Sequence, residues 1–575
     1  MKKYIINAIL TTALFIGGCT KLDEHVYDKV DVSKFLTRRQ DVITDFLRPF
    51  EHAYWSIQGN DIFAVNENSS DEIGTYNRQG DWQDGNYYQR MHYHTWTTQD
   101  NFTNGAWTAF YQGIVLSTNS LQDMESIEDP TKLNVTATEL ADFKAELRTL
   151  RAWFYLRAFD FYRNIEIVTD VKNSTAGNKQ STPQETFDYI ESELKAALPD
   201  LPLRAALGDN GIGRWTQAGA AALLARLYLN AKVYVDQDKF TDCATVCQDI
   251  INGKYGSYQL DTRWDAPFDY TNSTVNSETI YGFPASLNRT HWQYDGGMYF
   301  NAMTYDAAPL YCGFTDFNQA NPKYALQPGR DVDSVEYSFT LGKPFVKFQH
   351  YPDDYRLKLY KNLGNSKREG MFLFGYLPYQ HTVNGNTVTD TVRGNKGSYP
   401  LFIRDQVGWF LDAKPGQRIA DKESDMNHAD HNSGIFFLKY PLYPTPDPNR
   451  ITSAYAEIRL SEIYYTLAEC KYRAGDKASA ASLLNAVRQR NYPAGSTSLY
   501  KTDGSQLTDQ EMLDEWGREF FGENRRRTDL IRWGVFNSGT WWDKQPDADN
   551  HTAIFPIGRD IMGANPQFVQ NPGYN

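Results

Sequence analysis

Apolar residues spaced three and four apart over long stretches constrain this chain more than any other feature. From Glu139 to Arg163, Leu140, Phe143, Leu147, Leu150, Phe154 and Phe161 fall on one helical face, which must bury itself against a neighbour. Thr182-Pro183-Gln184-Glu185 opens a second helix with a capping arrangement and proline at its first position, and the spacing carries it to about Leu198. A third helix is expected from about Thr216 to Tyr234, where Ala218, Gly219, Ala221, Ala222 and Ala225 let a neighbouring helix approach closely. A fourth runs from Leu460 through Ala474, Gly475-Asp476 turns the chain, and a fifth continues from Lys477 to about Arg490. This last pair reads as one tetratricopeptide-like hairpin. No repeat of fixed period runs through the chain, so degenerate hairpins interrupted by insertions fit better than a regular solenoid.

Two regions differ. Asp71 to Thr103 is polar, aromatic and rich in Gly and Asn, and Thr271 to Ser433 mixes short β-like runs with turn clusters such as Asn384-Gly385-Asn386. Both suggest loop-rich structure on a helical frame, where binding residues tend to lie. The expected fold is mainly α: tetratricopeptide-like hairpins forming a superhelical scaffold, with a loop-rich, ligand-facing subdomain. The corresponding division is residues 1–18, 19–270, 271–433 as a variable insert, and 434–575 with the helical pair.

The N-terminus addresses the chain. Lys2 and Lys3 precede an apolar stretch from Tyr4 to Ile16, shorter than the roughly 20 residues a membrane span needs but right for a signal peptide core. It ends in Ile16-Gly17-Gly18-Cys19, which resembles a lipoprotein lipobox with Cys19 as the acylated residue. The alternative is an ordinary secreted protein with a chance cysteine. Two or more acyl chains anchor a protein stably without spanning the bilayer. Thr20, in place of a retaining aspartate, favours an outer-membrane, surface-exposed location. No later segment is long and apolar enough to cross a membrane.

Charge and motifs narrow the function. A net charge of −13, spread along 575 residues, argues against nucleic acid as a partner. Cys243 and Cys247, four apart on an expected helix, are too wide for a disulfide, and with Cys312 and Cys470 they read as small buried thiols. No nucleophile elbow, phosphate-binding glycine loop or H-E-x-x-H helix occurs. His92 and His94 could share one face of a strand but lack an obvious third ligand. Asp425, His428, Asp430 and His431 form a loose polar cluster that reads as a solvated loop. Glu519, Glu523, Arg525, Asp529 and Arg532 look catalytic as a list, yet their spacing is that of helix neighbours, and an ion-paired helix end fits better. Neither a cofactor nor a metal is expected, and no catalysis.

The chain holds 38 Tyr, 32 Phe and 13 Trp, more than cores alone call for in its polar stretches. A flat aromatic covers the C–H face of a sugar ring while Asn, Asp, Arg or Gln bonds the hydroxyl rim. Covering on the order of 50 Å² of indole gives roughly 1 kcal/mol at about 25 cal/mol per Å², so several contacts are needed. Arg78, Trp82, Tyr87, Tyr88, Trp96 and Asn101 in the first polar region supply such parts. Trp292, Tyr294 and Tyr299 in the second, near Tyr305, do the same. Trp96 and Trp292 are the leading platforms.

Ordered motifs then give a family likeness. They run from Trp107 through Tyr111 to Asn119, then Glu146 to Tyr155, Thr182 to Phe187 with Leu201-Pro202, and Gly213-Arg214 to Leu229. Later come Ile458-Arg459 through Glu469, Asn485 to Arg488, Glu519 to Glu523, Asp529 to Gly534, Phe555-Pro556-Ile557 and Gln570 to Tyr574. This set resembles the SusD/RagB family of outer-membrane nutrient-binding lipoproteins, with Gly558 standing where the family usually has a second proline. The resemblance implies a lipoprotein lid over a SusC-like TonB-dependent transporter, delivering a bound glycan inward. A peptide ligand, a surface glycosidase and a pure structural lid are the alternatives.

Overall fold

The computed structural model describes residues 36–58, 62–172, 179–269, 277–284, 310–311, 323–364, 367–394, 399–410, 423–441 and 453–574. Cys19 and the signal segment, Cys312, and the candidate ligand residues Trp292, Tyr294 and Tyr299 lie outside the described residues.

Local signals set the helix ends. Thr136 accepts from the Glu139 amide while Glu139 reaches back, a capping box that starts the helix Ala137–Tyr162. Thr182 and Glu185 form a second box on Pro183–Ala197. The helix expected to reach Tyr234 instead stops at Leu229. Asn230 is the reason: its Nδ2 donates to the Arg226 carbonyl at 2.9 Å and its Oδ1 accepts from Arg532 at 3.3 Å. A side chain bonding the preceding turn competes with helical continuation, and a short helix, Ala231–Val235, follows the break.

The helices pack in series. Arg39–Gln58 lies on Asn101–Glu125, which lies on Ala137–Tyr162, then Pro183–Ala197, Gln217–Leu229 and Phe240–Ile251. The series then resumes much later in the chain, for Phe240–Ile251 packs on Leu460–Arg473, which pairs with Lys477–Arg488 across Gly475 at φ 85°. Cys243, Cys247 and Cys470 are buried free thiols on this part of the stack. The chain is thus mainly α and tetratricopeptide-like. Among the described residues, no helix is long and apolar enough to cross a membrane.

Short two-stranded sheets decorate this frame. Thr279–Phe283 pairs antiparallel with Tyr455–Arg459, both wholly buried, and Tyr281 stacks on Trp215 at 3.7 Å. Further along, Pro378–Val383 and Asn386–Thr391 form a hairpin closed by Asn384 and Gly385 at φ 51° and 81°, the pair of positive angles a type I′ turn needs.

Ion pairs thread the core. Glu146 is clasped by Arg214, Glu469 by Arg532 at 2.9 Å, and Glu457 by both Arg157 and Arg226 at 2.8 Å. Arg525 and Arg532 pair with Asp529 at 3.2 and 2.8 Å along the helix end, as the spacing predicted. Glu519 and Glu523 reach further, to Arg459 on a neighbouring strand at 2.7 and 2.9 Å. These charges hold elements together.

Candidate functional site

Backbone conformation singles out the turn at residues 79–86. Gln79, Gly80, Trp82, Asp84, Gly85 and Asn86 all have positive φ, Trp82 at 64°. A bulky side chain disfavours that region, so surrounding contacts hold the turn, and backbone strain of this kind clusters at ligand sites. Asp81, Gln83, Asp84 and Asn86 stand exposed around a half-buried Trp82. The indole meets Tyr88 edge-on at 6.1 Å, and its N–H is buried with no acceptor among the described residues. Lys323 stands 5.5 Å from the centre of that ring and 5.2 and 5.1 Å from those of Tyr88 and Tyr324. A ring and a polar rim therefore meet here, the parts that stacking on a sugar requires.

The turn is braced from below. Arg90 donates to the Gly85 carbonyl at 2.7 Å and to Asp100 at 2.8 and 2.6 Å, tying the turn to the start of the Asn101–Glu125 helix. Tyr93 and His92 both reach Asp543 at 2.6 Å, and His94 lies between Asp547 and the Ser69 carbonyl, 2.8 Å from each. The two histidines belong to a short helix, Tyr87–His92, and the turn after it, rather than to one face of a strand. Both are buried clamps on the C-terminal segment.

The candidate residues separate accordingly. Trp82 is at the surface turn, and Asn101 is exposed beside the Asp100 that Arg90 holds. Trp96 is only 4% exposed: its Nε1 donates to Tyr574 at 2.7 Å and its ring leans on Phe555 at 4.7 Å. Arg78 is also buried, donating to the carbonyls of Asp430 and Ser433 between the rings of Tyr76 and Phe436. Neither presents a surface to a ligand, which corrects both assignments. Asp430 is likewise no solvated loop residue; it is buried and accepts from the amides of Phe410 and Asn432. Lys323 and Arg90 were not among the candidates, because nothing local in the sequence sets one lysine over three rings or one arginine under a turn.

Two family models match the chain: SusD family over residues 416–574, and one described as starch-binding associating with outer membrane over residues 22–229. The starch-binding protein SusD of Bacteroides thetaiotaomicron is 25% identical over 479 residues, which cover 76% of this chain and 74% of that protein. A solved SusD homologue from the same organism has a TM-score of 0.65 at 17% identity, covering 95% of this chain and 99% of that one. A laminarin-binding SusD-like protein has a TM-score of 0.57 at 18% identity, covering 94% and 100%. Such structural likeness speaks for the fold, and the sequence matches at both ends of the chain speak for descent. The chain belongs to the SusD/RagB family.

Proposed function

We propose that this protein captures an oligosaccharide or polysaccharide at the outer-membrane surface and passes it, chemically unchanged, to a SusC-like TonB-dependent transporter. The observation that carries the reading is the strained turn around Trp82, where a half-buried indole stands within a rim of exposed Asp, Gln and Asn side chains. Asn101 extends that rim, and Trp292, Tyr294 and Tyr299 are proposed to complete it. A starch-binding relative matched over three quarters of both chains supports glycan as the ligand class. The family model's association with the outer membrane supports the location, with Cys19 as the proposed lipid anchor.

Affinity electrophoresis of the protein lacking residues 1–19, run through gels containing different polysaccharides, tests this. Retardation by one glycan is expected, and Trp82→Ala should weaken it about fivefold, roughly the 1 kcal/mol that a covered indole face supplies. No retardation on a broad panel, with binding to mixed peptides instead, would replace the glycan with a peptide.

A further inference from the structure

A second groove lies where the Arg39–Gln58 and Asn101–Glu125 helices meet the C-terminal segment, and it shares no residue with the Trp82 turn. Its cavity volume is about 630 Å³, within the range of small-molecule sites. Trp107 and Tyr111 form the floor, stacked at 4.5 Å and 12°, with Phe568 edge-on to Trp107 at 5.7 Å. Tyr111 is locked in place: its hydroxyl donates to the Glu166 carbonyl and accepts from the Glu166 amide, each at 2.9 Å. Val115, 42% exposed, and Leu116 continue the apolar wall. His52 lines the groove with Nε2 against the Ala109 carbonyl at 2.8 Å, and its ring leans on Trp55, whose indole is 45% exposed.

One charge in this groove is unanswered. The Glu166 side chain is half-buried there, and among the described residues its carboxylate has neither an ion-pair nor a hydrogen-bond partner. Burial alone pushes its carboxyl up to about 6, so it carries its charge at neutral pH at a desolvation cost that a cation would relieve. Arg48, on the same groove, is already paired with Glu51 at 2.5 Å. Thr108, Gln112 and Asn565 add neutral hydrogen-bonding groups to the lining. An apolar wall, amide groups and a lone carboxylate together describe a ring with a C–H face, hydroxyls and a positive charge.

We propose that this groove is a second ligand site that takes an amine-bearing saccharide, its ammonium paired with Glu166 and its C–H face against the wall of Val115 and Leu116. The site is independent of the Trp82 turn. Arg48 and His52 face the groove from the first helix, Tyr111 from the second, and Tyr155 approaches Glu166 from Ala137–Tyr162; the C-terminal lining residues do not titrate. Burial keeps His52 below its ordinary value and Tyr155 well above its own, leaving Glu166 to set the pH response near 6.

Titration calorimetry of the protein lacking residues 1–19 with a tetrasaccharide of glucosamine tests the site. Binding is expected, weakened at least tenfold in Glu166→Gln and several-fold in Val115→Asn, a change at an exposed position, and unaffected in Trp82→Ala. Affinity should fall between pH 6.5 and 4.5 in the parent protein, as Glu166 takes up its proton while the sugar amine stays charged, and change far less in Glu166→Gln. Equal affinity for the N-acetylated tetrasaccharide would overturn the ammonium pairing. Absence of binding, or tighter binding of a lysine tetrapeptide, would overturn the saccharide assignment.

Discussion

Replacing Arg459 with methionine is expected to destabilise the fold by about 3–5 kcal/mol at neutral pH, the usual cost of leaving buried carboxylates without their partner. Arg459 is 1% exposed and sits at the end of the Tyr455–Arg459 strand. It holds Glu523 through two bonds of 2.9 Å, Glu519 at 2.7 Å and Glu278 at 3.3 Å, and lies over the Phe520 ring at 4.3 Å. One side chain therefore joins a strand pair to the Asp509–Phe520 helix. Burial by itself would raise the Glu519 carboxyl, but Arg459, Arg490, Arg356 and Lys439 outweigh it and hold the group well below the usual carboxylate range. The sign of the pH effect follows. A depressed folded-state value gives stability that is present above the unfolded value of about 4.3 and lost as pH falls below it. Without Arg459 the Glu519 value rises, so the gap between parent and variant should narrow from pH 7 to pH 4. Urea denaturation at both pH values measures this; a gap that stays constant would mean that Glu519 is not the group Arg459 keeps ionised.

Trp96→Ala is expected to cost about 3–5 kcal/mol of stability, as large-to-small changes of buried aromatics do, while leaving glycan affinity unchanged wherever the variant is folded. The indole is enclosed by Phe555 and His94, and its N–H is spent on Tyr574. Trp96→Phe keeps most of the ring and forfeits the hydrogen bond, so a loss of about 1–2 kcal/mol is expected. Thermal denaturation and affinity electrophoresis on both variants distinguish a packing residue from a platform. If Trp96→Phe retained full stability and lost glycan binding, Trp96 would be restored as a contact. Trp82→Ala should behave in the opposite way, with binding weakened and stability little changed.

These two tryptophans show where reading the sequence succeeds and fails. Both sit in one polar, aromatic stretch, fourteen positions apart, and by composition either could stack on a sugar. What separates them lies elsewhere in the chain: Tyr574 and Phe555 close over Trp96, and Lys323 stands over Trp82. The same holds for Arg78, whose surface-like setting hides carbonyl partners at Asp430 and Ser433. Glu166 gave no signal either, because an unpaired carboxylate is recognised only once its whole surroundings are known.

The sequence by itself determined the helices, the boxes at Thr136 and Thr182, the turn at Gly475 and the Asn384-Gly385 hairpin, because periodicity, capping and turn angles depend on residues within about four positions of one another. It also carried the family likeness, through motifs whose order survives when individual residues vary. Only the tertiary structure decided that Phe240–Ile251 stacks on the distant Leu460–Arg473, that Asn230 breaks a helix by bonding Arg226 and Arg532, and which aromatics face outward. Burial is a property of the packed whole: a side chain's exposure is fixed by whichever distant segments come to rest against it, and no local pattern encodes their arrival.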